Sequence, residues 1–170
     1  MAGDVTIRRA TAGDVDWLVA LLNGEETEPF LSAAHAYDRD GIAAEVERSG
    51  RDPRRFGRFV IEVDGERAGV MGFEERSERH RIAHLGGLAV HPAFRGRGIA
   101  DEAARLLQRL LFDELGFHRL ELEIYAFNER ACAHAERSGF VREGRKRKAY
   151  LKDGEWVDSV LYALIPEDLD

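Results

Sequence analysis

The sequence predicts a mixed α/β fold of the α+β type: a mostly antiparallel central sheet of about seven strands, flanked by about four helices. Three observations predict it. Two Asp-Gly pairs, Asp64-Gly65 and Asp153-Gly154, each stand between alternating segments, the mark of a tight hairpin. Apolar residues recur at helical spacing between the strand-like stretches. The resulting order, β-α-α-β-β-β-α-β-α-β-β, lacks the regular strand-helix alternation of a doubly wound parallel sheet.

The chain opens with a short β-like segment, "DVTIRRA". Thr11 then stands as a helix cap, with Asp14 where a capping box usually has Glu or Gln, and Val15, Leu18, Val19 and Leu22 follow at helical spacing. The stretch from Gly24 to Tyr37 has no clean period and contains Pro29; a second helix is predicted from about Asp38 to Ser49. "RFVIEV" and "RAGVMGFEE" flank Asp64-Gly65 as a hairpin, and "HRIAHLGGLAV" adds a strand. The adjacent Gly86 and Gly87 inside it predict a bulge or a close approach to the backbone. Ile99, Ala103, Leu106, Leu107 and Leu110 trace one face of a third helix. "HRLELEIYAF" alternates as a strand, with Tyr125 expected to pack against the covering helices. A short helix from about Glu129 to Arg137 stops at Ser138-Gly139, and the second hairpin closes the chain.

A length of 170 residues with 44% hydrophobic content fits one globular domain over 1–170. No apolar run approaches the roughly 18 residues of a membrane span, and the N-terminus shows no signal pattern. Cys132 is the only cysteine, so an intrachain disulfide is excluded, and no His/Cys/Asp spacing suggests a metal site. The expected location is cytoplasmic. A net charge of −7 argues against broad nucleic-acid or membrane binding. The run Arg142, Arg145, Lys146, Arg147 and Lys148 is read first as a solvated strand face.

The segment "VHPAFRGRGIADEAARLL" delivers a strand into a helix through Arg95, Gly96, Arg97 and Gly98. A helix start leaves N–H groups unsatisfied and carries partial positive charge, so it suits an anion, and glycine uncovers those amides. The dinucleotide fingerprint fails because residue 101 is Asp, and the P-loop pattern fails for want of a lysine. Asp101 and Glu102 suit the helix dipole but not a phosphate.

"LAVHPAFRGRGIA" resembles motif A of the GNAT superfamily of acyl-CoA-dependent N-acetyltransferases, with Arg95-x-x-Gly98-x-Ala100 in the family's [QR]-x-x-G-x-[GA] positions. "NERACAHAERSGFVREG" is similar to a second family segment, through Asn128, Ala131, Gly139, Phe140, Glu143 and Gly144. The closing "YLKDGEWVDSVLYAL" resembles the ribosomal-protein alanine acetyltransferase-like and small amino-acid acetyltransferase branch. The resemblance implies a V-shaped split between two neighbouring strands that receives acetyl-CoA. Leu88, Ala89 and Val90 would pair with its pantetheine arm. Arg95, Gly96, Arg97, Gly98, Ile99 and Ala100 would take the pyrophosphate. Asn128 would contact the arm from the next strand, or serve as a plain N-cap.

Acetyl transfer to an amine needs proton removal, a donor to the thioester oxygen and a fate for the thiolate. Some members place a catalytic glutamate six residues before the valine. His84 stands there in this chain, as a base or as an ordinary strand residue, and Glu74 on the neighbouring strand competes for the role. The family's usual tyrosine acid is replaced by Ala135, leaving Cys132, His134, Ser138 and Tyr150 as substitutes. The acceptor loop would contribute Glu28, Phe30 and Leu31. The implied function is transfer of acetyl from acetyl-CoA to a primary amine: a small amine or amino acid, or alternatively a protein N-terminus. A CoA-binding regulatory module without chemistry is a further alternative. No nucleic-acid or membrane partner is expected, and self-association as a homodimer is open.

Overall fold

In the computed structural model, residues 3–24 and 36–169 are described. Among the described residues, seven strands form one sheet: β1 (Val5–Arg9), β2 (Phe56–Val63), β3 (Glu66–Ser77), β4 (Ile82–Val90), β5 (Arg119–Tyr125), β6 (Val141–Lys152) and β7 (Glu155–Leu164). Four α-helices among those residues accompany them: α1 (Val15–Leu22), α2 (Arg39–Arg51), α3 (Ile99–Arg109) and α4 (Glu129–Arg137). The order along the sheet is β1-β2-β3-β4-β5-β7-β6, antiparallel at every pairing except β4 with β5. Element order and fold class match the sequence expectation.

Local chemistry places the ends. Asp64 and Gly65 both take positive φ (50° and 83°), as do Asp153 and Gly154 (50° and 80°), the backbone of a type I′ hairpin turn. Asp38 caps α2 by accepting the Gly41 amide at 2.6 Å. Gly139, at φ 95°, ends α4. At the first cap, the Thr11 amide donates to Asp14 Oδ2 at 2.8 Å, so Asp replaces the usual Glu over a shorter, 3-10 turn. The run after Arg109 departs from expectation: α3 widens into a π-type turn over Leu110–Glu114.

Strand alternation sorts side chains between two cores. Phe59, Ile61, Met71 and Phe73 face α3 and α4, where they pack with Ile99, Ala103, Leu107, Leu111 and Ala135. Val60 and Val70 face α1 and α2, where they pack with Leu18, Leu22, Ile42 and Val46. Most of these are completely buried, each such side chain contributing about 1.5–3 kcal/mol of transfer free energy. No described helix is long and apolar enough to cross a membrane.

Candidate active site

The sheet is not continuous along its length. β4 pairs with β5 only at Ile82, Ala83 and His84, opposite Arg119, Leu120 and Glu121. Beyond His84 the two strands part. β4 keeps β3 on its other edge to Val90, and β5 keeps β7 to Tyr125, so each strand has one edge beside the gap without a ladder partner among the described residues. Backbone N–H and C=O groups on such edges are available to an extended ligand. Leu88, Ala89 and Val90 lie on the β4 side of this gap.

A bulge in β4 lies just beyond the point where the strands part. Between Val70↔Ala89 and Gly72↔Gly86, β4 carries one residue more than β3, and Gly87 sits there at φ 67°. That is a bulge with its extra residue in the left-handed region, where only glycine is free of strain. A Cβ on Gly87 would meet Arg58 Nη1 at 2.6 Å. Arg58 is itself held by Glu45 at 2.5 Å. This guanidinium beneath the bulge was not foreseen; no spacing in the sequence links residue 58 to residue 87.

At the far end of β4, Pro92–Phe94 make a 3-10 turn and α3 begins after Gly98. Gly96 and Gly98 have φ 79° and 72°, and a Cβ at either would meet nothing within 4 Å. No side chain would therefore crowd the loop at either glycine, while the Arg95 amide donates to the Pro92 carbonyl at 3.3 Å. Arg95 Nε donates to the Val90 carbonyl at 3.1 Å, and Arg97 lies exposed over the Phe94 ring. Ile99 is buried in the core.

His84 occupies the last paired position before the gap. Glu74 lies directly opposite on β3 and Glu121 directly opposite on β5, so all three project from one face, the side of α1 and α2. Glu123, two residues on, shares that face. Burial first, and then Arg76, push the His84 imidazole below its ordinary value, outweighing Glu123, Glu121 and Glu74. Glu74 is paired with Arg48 at 3.6 Å. Glu123 accepts from Tyr150 Oη at 2.6 Å and Ser159 Oγ at 2.7 Å, with Lys146 Nζ 3.0 Å away. Burial alone would raise the Glu123 carboxyl, but those three partners hold it below its ordinary value. Glu121 and Glu123 are not among the site residues expected from the sequence, although the alternation of "HRLELEIYAF" puts both on one face.

Asn128 caps α4, its side chain accepting the Ala131 amide at 3.2 Å. Ala135 is buried. Of the four substitutes for the missing tyrosine, Tyr150 is engaged with Glu123, and His134 lies 2.7 Å from Asp101. Ser138 Oγ is buried with no hydrogen-bond partner, and Cys132 packs against the α3/α4 core. Tyr125 belongs to neither helix-packed core, contrary to expectation: as an odd-numbered residue of β5 it points away from α3 and α4, and its ring stacks on Phe127 and meets Tyr150 edge-on. Within the basic run, Arg145 pairs with Asp158 at 2.7 Å. Glu28, Phe30 and Leu31 lie outside the described residues.

Comparisons with known proteins agree with this geometry. Residues 4–141 match the acetyltransferase (GNAT) domain family. The chain is similar to a spermidine N(1)-acetyltransferase of Escherichia coli, 29% identical over 136 residues, covering 80% of this chain and 67% of that one. A ribosomal protein uS5-alanine N-acetyltransferase of Escherichia coli is 28% identical over 146 residues, covering 83% and 74%. The crystal structure of a spermidine N-acetyltransferase from Vibrio cholerae, in complex with CoA and spermine, superposes with a TM-score of 0.87 over 98% of both chains. At 21% identity that last likeness speaks to the fold.

Proposed function

The chain belongs to the GNAT acetyltransferase family, and from that premise we propose that it moves the acetyl group of acetyl-CoA directly onto a primary amine at the apex of the β4–β5 split, the acceptor being a small cationic amine or amino acid. The observation that carries the reading is the end of β4–β5 pairing at His84 and Glu121. It leaves a gap with the Gly96–Gly98 loop at one end and a titratable side chain at the other.

Acetyl-CoA supplies an acyl thioester. The residues of this chain bind it and manage protons. Backbone groups of Leu88, Ala89 and Val90 hold the extended arm, and the amides after Arg95, through Ala100, hold the pyrophosphate. The Val90 amide donates to the thioester oxygen; the amine nitrogen forms the C–N bond as the C–S bond breaks, and CoA leaves as a thiolate that takes up the second amine proton, directly or through water. Gly87 opens the strand, and Asn128 keeps the start of α4 in place beside the gap. On the opposite face His84 takes the proton of the incoming ammonium, directly or through water. Its lowered pKa leaves it neutral and able to accept at pH 7. Glu74, Glu121 and Glu123 share that face, each paired with a cation: Arg48 at 3.6 Å, Arg119 at 3.3 Å and Lys146 at 3.0 Å. Glu74 is the alternative base, although its contact with Arg48 makes it the weaker candidate. Glu28, Phe30 and Leu31 complete the acceptor side in this reading.

A protein N-terminus is the competing acceptor, favoured by the likeness to the ribosomal-protein enzyme. Free-thiol release from acetyl-CoA, measured across polyamines, amino acids and N-terminal peptides, decides. Release with small cationic amines supports the proposal, and release with peptides alone replaces the acceptor. Silence with every acceptor overturns catalysis in favour of a CoA-binding module, a reading that the buried Ala135 makes concrete.

A further inference from the structure

Asp101 is the third residue of α3, inside the helical turn that follows the glycine loop. A carboxylate there repels an anion held on the loop amides, since like charges a few ångströms apart interact strongly wherever water is partly excluded. The structure shows how this charge is answered. Asp101 Oδ1 lies 2.7 Å from His134 Nδ1, and Oδ2 accepts from Arg137 Nε at 3.2 Å. Both partners stand on one face of α4, three residues apart. The Asp101 and His134 side chains are only 25% and 17% exposed, so solvent screens their contact incompletely. Burial alone would raise the Asp101 carboxyl, but the bonds from Arg137 and His134 hold it below its ordinary value, and it is a full anion at neutral pH. The other acid of this turn, Glu102, is answered by Arg105 at 3.3 Å.

Resting on the reading that the start of α3 holds the pyrophosphate, we propose that Arg137 and His134 are positioning residues for acetyl-CoA: Arg137 neutralises Asp101, His134 holds it by a hydrogen bond, and together they tie α4 to the phosphate end of α3, so that a helix start bearing a carboxylate still accepts an anion. Asp101 thereby fixes α4, whose first residues follow Asn128, against the helix that opens the cleft. The ordinary account of an acid in a first helical turn is complementarity to the dipole. That account needs no partner on α4 and gives Arg137 no influence on cofactor binding.

The test is a double-mutant cycle on the full chain, read as dissociation constants for two donors. One is acetyl-CoA. The other is S-acetylpantetheine, which has the same thioester and arm but no phosphate. In low salt, Arg137→Gln weakens acetyl-CoA about fivefold and leaves S-acetylpantetheine unchanged, and the difference shrinks in about 0.3 M salt. Adding Asp101→Asn to Arg137→Gln returns acetyl-CoA affinity to within about twofold of the parent, because the charge that needed an answer is gone. Arg137 is 58% exposed, so the variant is expected to fold. The proposal is overturned if Arg137→Gln weakens both donors equally, if it leaves acetyl-CoA affinity unchanged, or if Asp101→Asn brings no recovery. Equal affinity of the parent protein for the two donors removes the phosphate reading itself, and the proposal with it.

Discussion

His84 carries the first prediction at the scale of single residues. A base that must be neutral gives a rate that falls on the acid side of its pKa. Burial lowers that pKa, so the acid limb of kcat/KM should lie below about pH 6.5. His84→Ala should lower kcat by about 10²-fold and remove that limb; an unchanged profile takes His84 out of the chemistry. Asp14 carries a stability prediction. Its carboxylate is 1% exposed and bound by Arg8 at 2.7 Å and Arg67 at 2.9 Å. The Arg8 hydrogen bond holds the Asp14 carboxyl well below the usual range, aided by Thr11 and Arg67 and opposed by burial. A depressed carboxylate stabilises the fold above its unfolded pKa near 4, and that stability is lost as pH falls towards the folded value. Asp14→Asn should therefore cost about 2–3 kcal/mol at pH 7, discounted for the partly exposed arginines, with the gap to the parent closing below about pH 4. Urea unfolding at pH 7 and at pH 3 measures both; a gap that does not narrow in acid contradicts the assignment.

The bulge in β4 makes its own demand at the scale of an element. Gly86 and Gly87 look alike in the sequence and differ in the structure. A Cβ on Gly86 meets nothing within 4 Å, whereas Gly87 has φ 67° and Arg58 against it. Gly87→Val should cost about 1–3 kcal/mol and reduce acetyl-CoA turnover, and Gly86→Ala should leave the melting temperature nearly unchanged. Equal effects on thermal unfolding would mean that the bulge does not depend on residue 87. The elements themselves were legible because each carries a local cause: Asp-Gly at the hairpins, Asp38 and Asn128 as caps, and period-2 alternation in β2 and β5. What was not legible arises from contacts between elements distant in sequence. Arg58 beneath Gly87, and Asp101 bound by His134 and Arg137, depend on how α2, α3 and α4 pack, and no spacing announces them. The π-type turn after Arg109 was missed for a different reason, since its apolar pattern continues the helical one.

Two cores on opposite faces hold the molecule together, and the sheet between them is continuous from β1 to β4 and from β5 to β6, with the separation confined to one junction. A ligand bridging that junction binds only the folded state. At about 100 times its dissociation constant, acetyl-CoA should add about 2.7 kcal/mol of stability and raise the melting temperature by about 5–10 °C. No shift at saturating cofactor would argue against a site spanning both halves. The fold and the family were readable, and the cofactor end of the proposed site rests on motif A and the Asn128 segment, each a local run. The acceptor end is assembled from β3, β4 and β5 face by face, so only His84 and Glu74 were named, while Glu121 and Glu123 emerged from the register. The most direct measurement is a crystal structure of the chain with CoA. The account predicts the pantetheine arm between β4 and β5 beyond His84, and the pyrophosphate within hydrogen-bond distance of the amides between Arg95 and Ala100. CoA bound elsewhere, or β4 and β5 closed into a continuous ladder through Val90, would contradict it.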